Sequence, residues 1–283
     1  IPTKKTAEIS ALCRSISRAR CGILEKHRIF EKEVHPTMTQ ETMRGQLRAL
    51  GISPGDVLFV HSSMKAIGTP LPPEAVLETL YEAVCPGGTL LLPAFTYETV
   101  TPETPVFDSR ESEPCVGLLP RTFFRMPGVV RSIHPTHSVC ALGADAVRLT
   151  KDHALDETPV GPHAPLMQLP ACGGKLLFIG DILHACTFMH GVEERVGTDY
   201  VLTREKIRYI VDGAPRMLYG HDFRGWQQEY PRIRDILGPD VLRCGSFGEA
   251  PCCLIDAAAL LNAASRKLRE NMHYFVSRIP DPA

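Results

Sequence analysis

The chain alternates short apolar runs with amphipathic stretches over most of its length. Apolar runs at 56–60, 89–93 and 175–179 have the length and composition of strands that are buried on both faces of a sheet. Between the first two runs, residues 73–84 place apolar side chains at helical spacing. The order strand, helix, strand predicts a parallel pair joined by a right-handed crossover.

Further elements are predicted from the same two patterns, namely apolar runs for strands and apolar residues at helical spacing for helices. Residues 39–50 predict a helix that Thr39 caps and Gly51 ends. The other expected elements are strand pieces at 129–130 and 139–142, hairpin strands at 207–211 and 216–219, a helical piece near 230–237 and a final helix at 255–271. Interleaved strands and helices of this kind indicate an α/β protein.

The length of 283 residues permits one large α/β domain or two small ones. Residues 1–37 are charged and helix-prone, and a loose apolar stripe within them ends at His35-Pro36. No clear linker interrupts the rest. We therefore predict a helical N-terminal extension at 1–37 and a single α/β domain at 38–283.

Charge and composition narrow the class of protein. The formal net charge is −1 and no long basic block occurs, so a nucleic acid is not the expected partner. No apolar run reaches the roughly 18 residues that a membrane-spanning helix needs, and the polar N-terminus lacks the apolar core of a secretory signal. The 10 cysteines are scattered without a C-x-x-C spacing, which is typical of reduced, buried thiols. We expect a soluble cytoplasmic protein without a structural zinc site.

A histidine and two glutamates follow the strand predicted at 175–179. Thr187 is placed to cap a helix whose first turns contain His190, Glu193 and Glu194. A spacing of three places His190 and Glu193 on one helix face, and the positive end of the helix dipole favours an uncharged imidazole that accepts protons. A solvated helix start with a partly buried histidine is the alternative interpretation of this segment.

Polar segments also follow the other strands. Ser62 and Ser63 come directly after the first strand, and residues 132–138 (SIHPTHS) form a polar turn between two strand pieces. Residues 96–120 form a long loop with several acids, which predicts a binding loop or lid. Acids there would attract a cationic substrate, although a solvated loop has the same composition.

Three separated stretches, at 57–98, 127–143 and 161–195, together resemble the aminoglycoside N3-acetyltransferase family. The resemblance spans roughly residues 39–270. It implies a mixed sheet flanked by helices in an α/β/α layered arrangement, distinct from the common GNAT acetyltransferase fold. It also implies acetyl transfer from acetyl-CoA, as co-substrate, to an amine of an aminoglycoside antibiotic or related amino sugar.

The resemblance further implies roles for individual residues. His190 is the implied catalytic base, since Met189 to Glu193 matches the family's L-H-x-x-E block with Met in place of the usual Leu. Glu193, or Asp222 from the C-terminal part, would orient its ring. The implied coenzyme-pocket residues are Ser62, Ser63, Met64, Ser132, His134, Pro135, Ser138 and Val139. Backbone N–H groups near Ser63 or Ser138 would stabilise the tetrahedral oxyanion.

Two alternatives belong to other functional classes. A metal-dependent hydrolase would draw its ligands from His134, His137, His184, His190, Glu193 and Asp222. A non-catalytic module would keep the CoA pocket without turnover. We expect no metal, the partners CoA and a small amine, and a monomer or homodimer. The acceptor amine and the role of residues 1–37 stay open.

Overall fold

The apolar runs form strands and the amphipathic stretches form helices in the computed structural model, which describes residues 38–280. The helical extension predicted at 1–37 lies outside these residues, and the division into domains stays a prediction. The strands in chain order are β1 (Val57–Ser62), β2 (Thr89–Pro93), β3 (Val106–Phe107), β4 (Val130–Arg131), β5 (Val139–Gly143), β6 (Lys175–Ile179), β7 (Ile207–Val211), β8 (Ala214–Leu218), β9 (Trp226–Gln228), β10 (Leu242–Phe247), β11 (Ala250–Asp256) and β12 (Val276–Arg278).

The helices lie between these strands and after them. In chain order the α-helices are α1 (Gln40–Leu50), α2 (Met64–Ile67), α3 (Pro73–Val84), α4 (Leu118–Phe124), α5 (Ala146–Thr150), α6 (Pro165–Gln168), α7 (Phe188–Val196), α8 (Ile233–Ile236) and α9 (Ala257–Glu270). Short 3-10 helices occur at His153–Leu155, Leu169–Cys172, Leu183–Ala185 and Tyr230–Arg232. Within residues 38–280, every helix is too short or too polar to cross a lipid bilayer.

A seven-stranded sheet in the order β10-β11-β6-β1-β2-β5-β4 forms the centre of the fold. The strand β1 pairs in parallel with both β2 and β6, which confirms the parallel crossover predicted from the sequence. The outer strands on both sides pair antiparallel. The sheet is therefore mixed, as the family resemblance implied.

Helices cover both faces of this sheet. Successive residues of β1 point to opposite sides, so Phe59 belongs to one core cluster while Leu58 and Val60 belong to the other. Helices α7 and α9 contribute to the cluster around Phe59, and α1, α3 and α4 contribute to the second cluster. This is the predicted α/β/α layering.

Two features of the fold were not predicted. The hairpin β10–β11 adds two strands beside β6, although residues 242–256 contain glycines and cysteines rather than an apolar alternation. The loop at 96–120 contains the short strand β3, which pairs with β7 in a separate small sheet. The pairing of β11 with β6 and that of β3 with β7 both join segments that are distant in the sequence.

Parallel pairing places the carboxyl ends of β1, β2 and β6 at one edge of the sheet. Ligand sites in open α/β sheets gather at this edge. The segments that follow these strands include Ser62 after β1, the loop at 96–120 after β2 and helix α7 after β6. All three meet at one cavity.

Candidate active site

A cavity of about 910 Å³ lies at the carboxyl edge of the three parallel strands. Histidines, a serine and carboxylates contribute to its wall. The polar lining residues considered below are His61, Ser62, Glu98, Thr136, His137, His184, His190, His221 and Asp222. Several separate segments of the chain therefore supply the chemistry of one site.

Helix α7 positions His190 at the cavity wall. Its residues Phe188, Met189 and Val192 are fully buried in the core, so the helix is held by its apolar side. Gly191 permits close packing, because a Cβ there would lie 2.6 Å from Met167 Cε and 2.7 Å from Val160 Cγ1. The opposite side of the helix presents His190 to the cavity.

The capping role predicted for Thr187 is wrong, although the helix does begin after it. Thr187 has nearly helical backbone angles (φ −61°, ψ −21°) and its side chain makes no capping bond. Its hydroxyl instead donates to the carbonyl of Ala185 at 3.4 Å. A residue with helical angles cannot take the extended conformation that capping hydroxyls usually need.

His190 is connected to Glu193 through Tyr230. The distance from His190 Nδ1 to the Tyr230 hydroxyl oxygen is 2.7 Å. The Tyr230 hydroxyl donates to Glu193 Oε2 at 2.8 Å. The direct distance from His190 Nδ1 to Glu193 Oε2 is 3.6 Å, which is too long for a hydrogen bond. The predicted pairing of His190 with Glu193 is therefore indirect.

This connection determines the tautomer of the His190 ring. A phenol has one hydrogen, and that hydrogen is directed to Glu193, so the Tyr230 oxygen accepts from His190 Nδ1–H. The lone pair then lies on His190 Nε2. Burial and the Glu193 carboxylate raise the pKa of Tyr230 well above its ordinary value. Tyr200 also donates to Glu193, at 2.9 Å, and completes the environment of the buried carboxylate.

A second carboxylate and histidine pair lies beside the first. His221 Nε2 lies 2.6 Å from Glu194 Oε1, which also accepts from the backbone N–H of Val160 at 2.9 Å. Burial lowers the pKa of His221 well below its ordinary value, and burial raises the pKa of Glu194 to about 7. The ring of His137 lies next to that of His221, with 4.6 Å between their centres. Burial likewise lowers the pKa of His137.

Asp222 does not orient the His190 ring, so this part of the prediction is wrong. Its carboxylate pairs with the guanidinium of Arg224, and its side chain is 40% exposed at the cavity. The nitrogen that it would have held is already bonded to Tyr230. The preceding residue, His221, is the one that faces the histidine cluster.

The segment after β1 contributes Ser62 to the cavity. Ser62 Oγ and His61 Nε2 are both buried and have no hydrogen-bond partner among residues 38–280. Burial lowers the pKa of His61 to about 3, so its ring is neutral. Ser63 is used structurally, since its hydroxyl accepts from Ala66 N–H at 3.3 Å and its own N–H donates to Ile179 O at 3.0 Å. The N–H of Ser63 itself is therefore already used within the sheet edge and is not free to donate to an oxyanion.

Met64, the third residue predicted for the coenzyme pocket in this segment, packs against the core cluster beneath α3 rather than lining the cavity. Its side chain is half-buried. Met64 is the first residue of the short helix α2, and its side chain contributes to apolar packing there.

The hydroxyls of the segment 132–139 are bonded within the protein. Ser132 Oγ lies 2.8 Å from His153 Nδ1 and accepts from the N–H of Val139 at 2.9 Å. Ser138 Oγ donates to Ala94 O at 2.8 Å and accepts from Arg131 Nε at 2.9 Å. These bonds hold the turn in place behind the cavity wall.

The predicted coenzyme residues of this turn do not line the cavity. They are buried in the fold, namely Ser132, His134, Pro135, Ser138 and Val139. His134 Nδ1 accepts from the N–H of His137 at 3.1 Å, so the ring of His134 also stabilises the turn. Thr136 and His137 reach the cavity instead.

The long loop after β2 does contribute to the cavity wall. Tyr97, Glu98, Val100 and Thr101 are among the lining residues. Of the loop acids, Glu113 pairs with Arg125 and Asp108 accepts from turn N–H groups, so neither is directed to the cavity.

Cys186 lies close to α7 in the sequence. Its thiol is fully buried, and burial raises its pKa to about 12. A neutral, inaccessible thiol does not act as a nucleophile.

Sequence reasoning identified His190 and Glu193 but missed Tyr230 and His221. Tyr230 lies 40 residues from His190 and follows no recognisable motif. The signal for His221 was its position next to Asp222, which the resemblance had already implied as a site residue.

Comparison with known proteins identifies the family of this chain. The sequence profile of the family described as Aminoglycoside 3-N-acetyltransferase matches residues 59–269. Aminoglycoside N(3)-acetyltransferase VII of Streptomyces paromomycinus is 37% identical over 271 residues, which cover 83% of this chain and 93% of the relative.

Solved structures are similar over the same region. A structure of AAC-IIIb as a binary complex with CoASH has a TM-score of 0.71 and 27% identity, covering 87% of this chain and 99% of that chain. A histidine-to-alanine variant of AAC(3)-IVa in complex with a gentamicin has a TM-score of 0.75 and 25% identity, covering 86% of this chain and 93% of that chain. The chain therefore belongs to the aminoglycoside 3-N-acetyltransferase family.

Proposed function

We propose that this acyltransferase moves the acetyl group of acetyl-CoA to an amine of an aminoglycoside, with His190 as the general base. The observation that carries this proposal is the chain of contacts from His190 through Tyr230 to Glu193 at the cavity wall. The family relatives with bound CoASH and with bound gentamicin support both substrates.

The reaction needs a base because an amine at neutral pH is mostly protonated and cannot attack a thioester. The ammonium group of the acceptor first loses one proton to solvent. His190 Nε2 then takes a second N–H proton as the amine nitrogen forms a bond to the thioester carbon. The carbon–sulfur bond breaks, and the CoA thiolate leaves with the proton from His190. During this transfer the imidazolium is stabilised by Tyr230 and by the Glu193 carboxylate, 3.6 Å from Nδ1.

Ser62 is our candidate donor for the developing oxyanion. Its hydroxyl is buried at the cavity without a partner among the described residues, whereas the N–H of Ser63 is bonded to the sheet. A pre-positioned hydroxyl in a site of low dielectric stabilises the negative charge of a tetrahedral intermediate. Contact of Ser62 with the thioester is the part of the predicted coenzyme pocket that we retain.

Charge in and below the cavity suits a cationic acceptor. Glu98 and Asp222 line it, with Asp222 partly offset by Arg224. Glu193 and Glu194 lie buried beneath the histidines. Carboxylates grouped around a cavity raise the local concentration of a polycation.

A thiol-release assay with acetyl-CoA and a panel of aminoglycosides and simple amines tests this function. We expect release of CoA thiol with aminoglycosides, and His190→Gln should lower kcat by about 10²- to 10⁴-fold, since proton transfer is lost. CoA binding, followed by calorimetry, should remain. His163→Gln removes a histidine that pairs with Asp156 outside the cavity lining and serves as the matched control.

Full activity in His190→Gln would exclude the general-base role. CoA binding without thiol release from any amine would favour the non-catalytic module. A stoichiometric transition metal whose removal abolishes activity would favour a hydrolase instead.

A further inference from the structure

Three histidine rings converge on one point of the cavity wall. His137, His190 and His221 each offer one ring nitrogen, and these nitrogens all lie within 4.8 Å of one another. The ring centres of His137 and His190 lie 4.6 and 4.8 Å from that of His221, and 6.2 Å from each other. All three residues line the cavity.

The other nitrogen of each ring is held by the protein. His190 Nδ1 is bonded to Tyr230 at 2.7 Å, His221 Nε2 to Glu194 at 2.6 Å and His137 Nδ1 to Thr136 Oγ1 at 2.9 Å. Each ring therefore keeps one nitrogen outside these bonds. Histidines that bind metals almost always use their second nitrogen in such a bond, which fixes the ring.

His221 supplies an independent observation. Its Nδ1 is buried and has no hydrogen-bond partner among residues 38–280, and its side chain is 8% exposed. In the tautomer whose Nε2–H donates to Glu194, Nδ1 carries a lone pair. A buried lone pair without a partner is costly unless a ligand occupies the place next to it.

From these contacts we infer that His137, His190 and His221 form a binding site for a divalent transition-metal ion such as Zn²⁺, with its fourth position open to the cavity. Zinc–nitrogen bonds of about 2.0–2.1 Å place tetrahedral ligands about 3.3 Å apart, so side-chain shifts on the order of 1 Å complete the site. Imidazole ligands suit Zn²⁺, Cu²⁺ and Ni²⁺.

The surrounding charges fit a dication. Glu194 lies directly behind His221, and the fully buried Glu193 lies behind His190 through Tyr230. Two carboxylates thus stand one layer outside three neutral ligands. Such outer-layer carboxylates raise the basicity of metal-binding imidazoles.

Metal binding has a consequence for acetyl transfer. An ion on the free nitrogen of His190 occupies the lone pair that accepts the proton of the amine, so the ion inhibits the enzyme in competition with the acceptor. This consequence rests on the proposed function, whereas the binding site itself does not.

Titration of the metal-free protein with Co²⁺ alone, and with Zn²⁺ in competition, tests the site. We expect one equivalent of Co²⁺ to bind, with the strong visible absorption of a four-coordinate ion that Zn²⁺ then displaces. Glu194→Gln should weaken binding about 10- to 100-fold. His221→Ala, which removes a ligand, should weaken it by at least about 100-fold, the upper end of that outer-layer range.

His184→Ala is the matched control, because His184 lines the same cavity outside the three-histidine cluster. Its Co²⁺ affinity should equal that of the parent protein. His137→Gln provides a second ligand variant should His221→Ala fail to fold, with circular dichroism as the check.

Absence of the visible bands, or equal affinity in the parent, His221→Ala and His137→Gln, would overturn the site. If Zn²⁺ binds through these histidines while acetyl transfer proceeds undiminished, the inhibitory consequence and the base role of His190 fail and the site stands. The opposite outcome is that His190→Gln loses acetyl transfer while His137→Gln and His221→Ala bind Co²⁺ as tightly as the parent protein. That outcome would overturn the metal site and leave the base role of His190 in place.

Discussion

At the scale of single residues, the hydroxyl hydrogen of Tyr230 determines which nitrogen of His190 is free. The hydrogen is directed to Glu193, so His190 donates from Nδ1 and keeps its lone pair on Nε2. Tyr230 is therefore a positioning residue as well as a stabiliser of the charged ring.

Tyr230→Phe removes the acceptor of His190 Nδ1–H without changing the aromatic packing. We expect kcat to fall roughly 10- to 150-fold, since a hydrogen bond to a charged group is worth about 1.5–3 kcal/mol and the ring is charged only during transfer. The KM for the amine should change little. Steady-state kinetics with saturating acetyl-CoA measures both constants.

Tyr200→Phe is the matched control for this prediction. Its hydroxyl also donates to Glu193, but it makes no hydrogen bond to His190 among the described residues. The kcat of this variant should fall less than that of Tyr230→Phe. Equal losses in the two variants would indicate that Glu193, rather than the contact with His190, accounts for the effect.

At the scale of elements, helix α7 supplies the proposed base and both buried carboxylates and fixes their positions relative to each other. His190, Glu193 and Glu194 are three and four positions apart and so lie on one face. The other face is buried through Phe188 and Val192. A shift of this helix would move the base and both carboxylates together.

Gly191→Ala tests this coupling. The new Cβ would approach Met167 and Val160 to less than 3.0 Å, so the helix must shift or the neighbours must repack. We expect the free energy of unfolding to fall by about 1–3 kcal/mol, as in other overpacked cores, and activity to fall with it. Urea unfolding and the thiol-release assay measure the two effects.

Gly45→Ala is the control, because Gly45 also lies inside a helix but its added Cβ would meet only Arg48, at 3.9 Å. This substitution should stabilise the protein by about 0.5–1 kcal/mol through helix propensity. A similar gain in Gly191→Ala would show that α7 has free space and would contradict the packing described above.

At the scale of the whole molecule, folding buries histidines in neutral form. Burial lowers the pKa of His61 to about 3 and that of His153 to about 4, and it lowers the pKa values of His134, His137 and His221 well below their ordinary value. The unfolded chain binds protons at these rings below pH of about 6.5. Glu194, whose pKa is raised to about 7, acts in the opposite direction, because its carboxylate binds one proton at higher pH in the folded protein than in the unfolded chain.

Stability should therefore be lost in acid. The stabilisation from neutral histidines is fully present above pH of about 6.5 and declines as the pH falls towards their folded values, by up to about 1.4 kcal/mol per pH unit for each ring. Glu194 offsets part of this decline between its unfolded pKa of 4.5 and about 7. Urea unfolding at a series of pH values measures the slope.

His153→Gln should reduce the slope of the free energy of unfolding against pH by the contribution of one titrating ring, because His153 is fully buried and lies outside the cavity lining. A free energy of unfolding that stays constant between pH of about 7 and 5 would contradict the burial of these rings in neutral form.

Local sequence determined the elements and their order. The strand at Lys175–Ile179 and the helix at Pro73–Val84 match the predicted residues, because apolar spacing and flanking glycine or proline act over a few neighbouring positions. The pairing of His190 with Glu193 on one helix face followed from the same short range. Family motifs then indicated acetyl transfer.

Only the tertiary structure decided what surrounds His190. Tyr230, His137 and His221 all lie far from His190 in the chain, and His221 rather than Asp222 faces the histidine cluster. The serines of the 132–139 turn were assigned to the coenzyme but are bonded within the fold. Such contacts depend on how elements pack against each other, which the local spacing of apolar and polar residues does not encode.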